Sequence, residues 1–253
     1  MSKLFKILSA ALLLIAFNSC EKEPVDNPTD EEPPVEKYER YVKGSRFRSD
    51  ILEEQLTYTL FMPASYETDT LKRYPVVYFL HGIGESSTKD WTEYMKTIES
   101  LEDNGLQEMI YVFPNGYSSY YCNTFDGKFR YMDMFIQELV PHIDATFRTK
   151  ADRQYRAITG YSMGGFGTAA LALKNPDVFG MSAPMSISLC TDKRYLSESQ
   201  DGWENQWGRI FGGIGQRGEG RLTDYYKEHC PFYQFTPENK DRLSQVKWFI
   251  HCG

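Results

Sequence analysis

Residues 156–167 read Arg-Ala-Ile-Thr-Gly-Tyr-Ser-Met-Gly-Gly-Phe-Gly, and the way this stretch is punctuated decides the fold. Tyr155–Thr159 has the composition of a short strand, the glycine cluster at 160–167 follows it, and a helical pattern then continues through Lys174. Within the cluster, Gly160-Tyr161-Ser162-Met163-Gly164 places a serine between two glycines, each two residues away. A serine on a tight strand-to-helix turn needs that spacing, because side chains two before and two after would collide with neighbouring backbone. The helix that follows points the positive end of its dipole at the serine. The alternative is a serine that merely caps a helix.

Working outward, Tyr74–Leu80 (YPVVYFL) is almost continuously apolar, as a strand covered on both faces should be. Met109–Phe113 repeats the pattern and ends at the turn signal Pro114-Asn115-Gly116. Gln55–Met62 alternates polar and apolar residues like a half-buried strand. Residues 91–104 form an amphipathic helical pattern with Gly105 as its stop. A second helix is predicted over Phe129–Phe147, with Phe135, Leu139, Ile143 and Phe147 on one face. Phe179–Ser188 and Val246–Cys252 read as further strands. Repeated β-α-β units imply the α/β class, a mostly parallel central sheet with helices on both faces. Sites in such sheets gather beyond the carboxyl ends of the strands.

The second chemical signal is His81-Gly82-Ile83-Gly84, at the end of the apolar strand 74–80. Chemistry at an acyl carbon requires two backbone N–H donors aimed at the developing oxyanion. Met163, the residue after the serine, is placed to supply one, and Ile83 the other. His81, standing before a glycine, suits a structural histidine that braces the loop better than a general base. No metal or organic cofactor is implied, since the four histidines are scattered.

Composition bounds the rest. The chain has 253 residues, 41% hydrophobic and 15% aromatic, enough to build one sizeable core. A formal net charge of −7 excludes the basic face a nucleic-acid binder needs. Lys3 and Lys6 precede an apolar run, Leu8–Phe17, too short to span a bilayer, and Ser19-Cys20 closes it. Residues 1–20 therefore read as an export signal of the bacterial lipoprotein type, with Cys20 as lipid anchor. A plain cleaved signal is the alternative. Residues 21–37 hold seven acidic residues, two basic ones and four prolines, an extended tether that cannot bury a core. Contact with a membrane is expected only through the N-terminal lipid. Cys122, Cys190, Cys230 and Cys252 leave one or two disulfides or four thiols open.

The main domain, residues 38–253, resembles the esterase family of the α/β-hydrolase superfamily that includes feruloyl esterases and esterase D. The matching stretches are Tyr74–Gly84 (YPVVYFLHGIG), Asp90-Trp91, Tyr111–Gly116 (YVFPNG), Leu139–Asp144 (LVPHID) and Arg156–Gly167 (RAITGYSMGGFG), in family order. The resemblance implies Ser162 as nucleophile, Ile83 and Met163 as oxyanion-hole donors, and activity on esters, often acyl groups on plant cell-wall polysaccharide. It also implies a triad acid and histidine after a strand like Val246–Gly253, neither of which this chain contains. His142 is expected at the surface, His229 in a variable segment, and His251 on a strand. The expectation is thus an α/β-hydrolase lacking its last strand and helix: a fragment, inert as it stands. The substrate would be a small-molecule or polysaccharide ester, feruloyl or acetyl. A non-catalytic glycan-binding surface lipoprotein and an acyltransferase are the alternatives.

Residues 190–245 are expected to form a variable cap or loop region. Gly213–Gly218 matches a dinucleotide-binding pattern but lacks a preceding buried strand, so it reads as a loop. Trp203, Trp207, Tyr225, Tyr226, Phe232 and Tyr233 either line a substrate cleft or cover the sheet. The loop Tyr117–Tyr121, past a strand's carboxyl end, is expected nearer the substrate.

Overall fold

The computed structural model describes residues 40–252; the signal-like start, Cys20 and the acidic segment 21–37 lie outside the described residues. Seven strands form one sheet: β1 (Tyr41–Arg48), β2 (Gln55–Phe61), β3 (Val76–Leu80), β4 (Ile110–Pro114), β5 (Arg156–Ser162), β6 (Met181–Ile187) and β7 (Lys247–Trp248). Their order is β1-β2-β4-β3-β5-β6-β7. β1 and β2 pair antiparallel, as do β2 and β4, and every later pairing is parallel.

Alternation along β3 separates the two faces of the sheet. Val77 and Phe79 pack with Trp91, Met95 and Ile98, on and beside α1 (Thr92–Asp103). Val76, Tyr78 and Leu80 face the other way, onto α2 (Tyr131–Thr146) and α3 (Met163–Lys174). α2 comprises Tyr131–Met134, a π-helical turn Phe135–Leu139, and Val140–Thr146. This is an α/β sheet with helices on both sides, as the buried runs of 74–80 and 109–113 imply.

α1 ends as its sequence predicts. Gly105 takes φ +93°, its N–H donates to Glu102 O at 2.9 Å, and Leu106 N–H donates to Leu101 O at 2.8 Å. That pair of bonds satisfies carbonyls a helix end leaves open. α2 departs from the regular helix expected over 129–147. Pro141 has no N–H and its ring crowds the carbonyl four residues back, so the turn before it widens. The final strand is also shorter than expected. β7 proper is Lys247–Trp248, but the chain stays beside β6, with Phe249 N–H donating to Ser182 O and His251 N–H to Pro184 O. β1 carried no recognised signal in the sequence.

α3 is buried on all sides except at Lys174. One side lies on the sheet, and residues 190–245 cover the other as a series of short helices. Trp203, Trp207 and Tyr226 are buried there and take the covering role, whereas Tyr225 and Tyr233 are half-buried and Phe232 is exposed. Trp207 and Phe211 stack on each other and both approach Phe166 of α3. Gly213–Arg217 is a loop, as expected from the missing strand, and Gly218 opens a short 3-10 turn. Cys122, Cys190, Cys230 and Cys252 are all free thiols.

Candidate active site at the bend between β5 and α3

Ser162 ends β5 and caps α3 with φ 55° and ψ −118°. A residue with a Cβ pays roughly 1–3 kcal/mol for such backbone, which persists only where the surroundings enforce it. Here the end of β3 enforces it. A Cβ on Gly160 would lie 2.6 Å from the Leu80 carbonyl oxygen, and one on Gly164 would collide with the same atom. Both glycines of the motif thus admit the backbone of β3 against the bend, and Ser162 is left half-exposed. Gly167 makes room in the same way for the ring of Tyr121.

That contact brings the loop after β3 beside the serine. Met163 is the first residue of α3, so its N–H has no acceptor within the helix. Ile83 is 46% exposed on the loop and, among the described residues, its N–H makes no hydrogen bond. These two N–H groups are the free main-chain donors that the sequence singles out.

His81 is fully buried. Gly116 N–H donates to its Nε2 at 2.8 Å, so the ring proton sits on Nδ1, which donates to Gly82 O at 2.7 Å. Tyr121 OH donates to the His81 carbonyl at 3.0 Å. Burial pushes the imidazole below its ordinary pKa, and a neutral ring is what the Gly116 bond requires. His81 fastens the loop to the end of β4 and has no nitrogen left for Ser162.

A second clamp was not visible in the sequence. Glu85 Oε2 accepts from Gly82 N–H at 3.0 Å and from Tyr161 OH, while Lys89 Nζ bridges Glu85 Oε1 at 2.5 Å and Tyr161 OH at 2.7 Å. Burial alone would raise the Glu85 carboxyl. Hydrogen bonds from Lys89, Tyr161 and Gly82 outweigh it and hold the group below the usual carboxylate range. Tyr161, between Gly160 and Ser162 in the motif, shifts strongly upward through burial and its bond to Glu85. The one sequence trace of this cluster is the i,i+4 spacing of Glu85 and Lys89.

The remaining histidines lie elsewhere. His142, expected at the surface, is half-buried: its Nε2 meets Tyr58 OH at 2.9 Å and its ring stacks on Phe47. The antiparallel strands β1 and β2 reach over this part of α2 and cover it. His229 Nδ1 bonds Tyr225 O at 2.8 Å, and its ring stacks on Tyr225. His251 is tied to β6 through its backbone, and its buried Nδ1 finds no partner. Among the described residues no histidine hydrogen-bonds Ser162.

The loop Tyr117–Tyr121 follows β4 and turns sharply. Tyr117, Tyr120 and Tyr121 all have positive φ, and the last two are buried, packed on Phe166, Trp207 and Tyr131. Their sharp turns direct two rings inward. The polar edge beside the bend is instead Tyr120 OH, near Ser188 Oγ at 3.4 Å and bonded by Gln206 Nε2; Ser188 N–H donates to Ser162 O at 3.0 Å.

The family profile described as "Putative esterase" matches residues 49–245. The chain is 33% identical over 144 residues to an endo-1,4-β-xylanase/feruloyl esterase of Xylanibacter ruminicola, which is 53% of this chain and 20% of that protein. It is 32% identical over 136 residues to an esterase of Mycobacterium tuberculosis, 51% of this chain and 28% of that one. The chain thus spans about a fifth to a quarter of the length of these curated relatives. Among solved structures, a ferulic acid esterase superposes with a TM-score of 0.67 at 27% identity, covering 84% of this chain and 78% of the other. An S-formylglutathione hydrolase of Staphylococcus aureus superposes at 0.60, with 22% identity over 84% and 80%.

Proposed function

This chain belongs to the esterase family whose profile spans residues 49–245, and on that premise we propose that it is a serine carboxylic-ester hydrolase acting through Ser162. The observation that carries the reading is the strained backbone of Ser162, held against the end of β3 with two unpaired N–H groups nearby. Ser162 Oγ attacks the acyl carbon, and the negative oxygen that forms is stabilised by the N–H groups of Met163 and Ile83. The alcohol leaves protonated, and water then hydrolyses the acyl-serine.

The acyl group we assign is a feruloyl or acetyl ester of a polysaccharide. Support comes from the 33% identity to a protein named for xylanase and feruloyl esterase activity. Residues 40–252 supply the nucleophile and the oxyanion donors but bring no histidine to Ser162. Without a general base at its hydroxyl, Ser162 stays protonated and attacks only slowly. The 253-residue chain is therefore expected to hydrolyse p-nitrophenyl acetate slowly. Ser162→Ala should reduce that rate to background; an undiminished rate would remove Ser162 from the mechanism.

A second reading is a non-catalytic glycan-binding protein on the same fold, since among the described residues no histidine hydrogen-bonds Ser162. Xylan binding with no Ser162-dependent turnover would decide for it. Export and anchoring through Cys20 remain a proposal from the sequence pattern, with lipid on Cys20 as its measurable consequence.

A further inference from the structure

We propose that Glu85 is a positioning residue for the oxyanion donor at Ile83, and that Lys89 neutralises its charge while Tyr161 hydrogen-bonds it, so that it can stand beside a developing anion. The proposal rests on Ser162 as the nucleophile. It follows from how the Gly82–Ile83 peptide is held. In a planar trans peptide, C=O and N–H point in opposite directions. The Gly82 oxygen is pinned by His81 Nδ1–H at 2.7 Å and by Glu85 N–H at 3.4 Å. Ile83 N–H must then face away from both. On the other side of the same residue, Gly82 N–H is held by Glu85 Oε2 at 3.0 Å. One glutamate therefore fixes both peptides flanking Gly82, through its backbone on one side and its carboxylate on the other.

A carboxylate so close to the candidate oxyanion hole would oppose negative charge on the acyl oxygen. Lys89 answers that charge at 2.5 Å, and its ammonium lies over the rings of Trp91 and Tyr161 at 5.2 Å from each centroid. Tyr161 OH donates to the same carboxylate and precedes Ser162 in the chain. The cluster thus joins the residue before the nucleophile to the residue before the oxyanion donor through Glu85, which lies 76 positions from Tyr161 in sequence.

The experiment uses the full chain and p-nitrophenyl acetate, with Ser162→Ala as reference. Glu85→Ala should lower kcat about 10- to 100-fold, as loss of a preorganised donor does, with KM changed less than about threefold. Lys89→Met leaves the carboxylate uncompensated and should cost about tenfold in kcat. The double variant Glu85→Gln/Lys89→Met removes the charge while keeping an acceptor, and should recover most of that loss. Folding alone does not produce such recovery. Hydrogen exchange at the Gly82 amide, slow in the parent protein, should accelerate in Glu85→Ala. Unchanged kcat in Glu85→Ala and Lys89→Met, with activity still abolished by Ser162→Ala, overturns this proposal alone. Activity indifferent to Ser162→Ala overturns the reading beneath it. Should Glu85→Ala not fold, failure of the double variant to exceed Lys89→Met is the refuting result.

Discussion

Ser162 holds a backbone conformation that glycine would adopt freely, so the residue chosen for chemistry is the wrong one for stability. Ser162→Gly relieves the left-handed strain but adds unfolded-state entropy. The expected balance is a gain of about 1 kcal/mol in urea unfolding with loss of all Ser162-dependent turnover. A destabilised Ser162→Gly protein would mean that the bend is not strained. Gly164→Ala should do the reverse, costing at least about 3 kcal/mol, because the Leu80 carbonyl cannot retreat without moving β3. At this scale the sequence is most readable where glycine marks a close approach, which is why Gly160, Ser162 and Gly164 stood out. It is least readable where distant residues meet: nothing local to Glu85 or Tyr161 announces that they share a hydrogen bond.

Among the elements, burial on both faces made β3 and β4 legible, and apolar runs of five residues can hardly be anything else in a domain of this kind. α2 was legible as a helix but not as one with a wide turn, since amphipathic spacing says little about a single missing N–H. Residues 190–245 were the least legible, because their order comes from tertiary contacts. Arg221 is the clearest instance. It is buried, and its guanidinium donates to the carbonyls of Tyr195, Leu196 and Glu198 and to Gln200 Oε1 while lying over Trp203. Each carbonyl left bare in a buried setting costs about 1–3 kcal/mol. Arg221→Met is expected to lower stability by about 2–4 kcal/mol, with faster hydrogen exchange over residues 195–222. Unchanged exchange there would show that the segment is held by its aromatic packing alone.

For the whole molecule, acid is the vulnerable direction. His81, His142 and His229 are each pushed below the ordinary histidine pKa by burial. As pH falls through the unfolded value near 6.5, the unfolded chain takes up protons that the native one refuses. Stability should therefore drop between pH 7 and 5, by at most about 1.4 kcal/mol per pH unit for each such proton. His142, only half-buried, adds less than the fully buried His81. Glu85 and Glu108, whose carboxyls are held low, add to the loss from the ordinary carboxylate range downward. Glu102, raised by burial, works against it over a narrow acidic window. Urea midpoints at constant ionic strength test the sign, and a midpoint rising from pH 7 to 5 would contradict it.

The helix behind the serine has one further consequence, for anyone who would breed new selectivity into this scaffold. Sheet on one side and aromatic roof on the other leave α3 no unclaimed surface, and added carbon at 160, 164 or 167 has nowhere to go. A mutant library aimed at those sites would return mostly unfolded clones. Productive diversity belongs at Ser188, Gln206 and Arg209, partly solvent-facing or exposed positions on or beside the roof, where shape can drift while the hinge beneath stays constant.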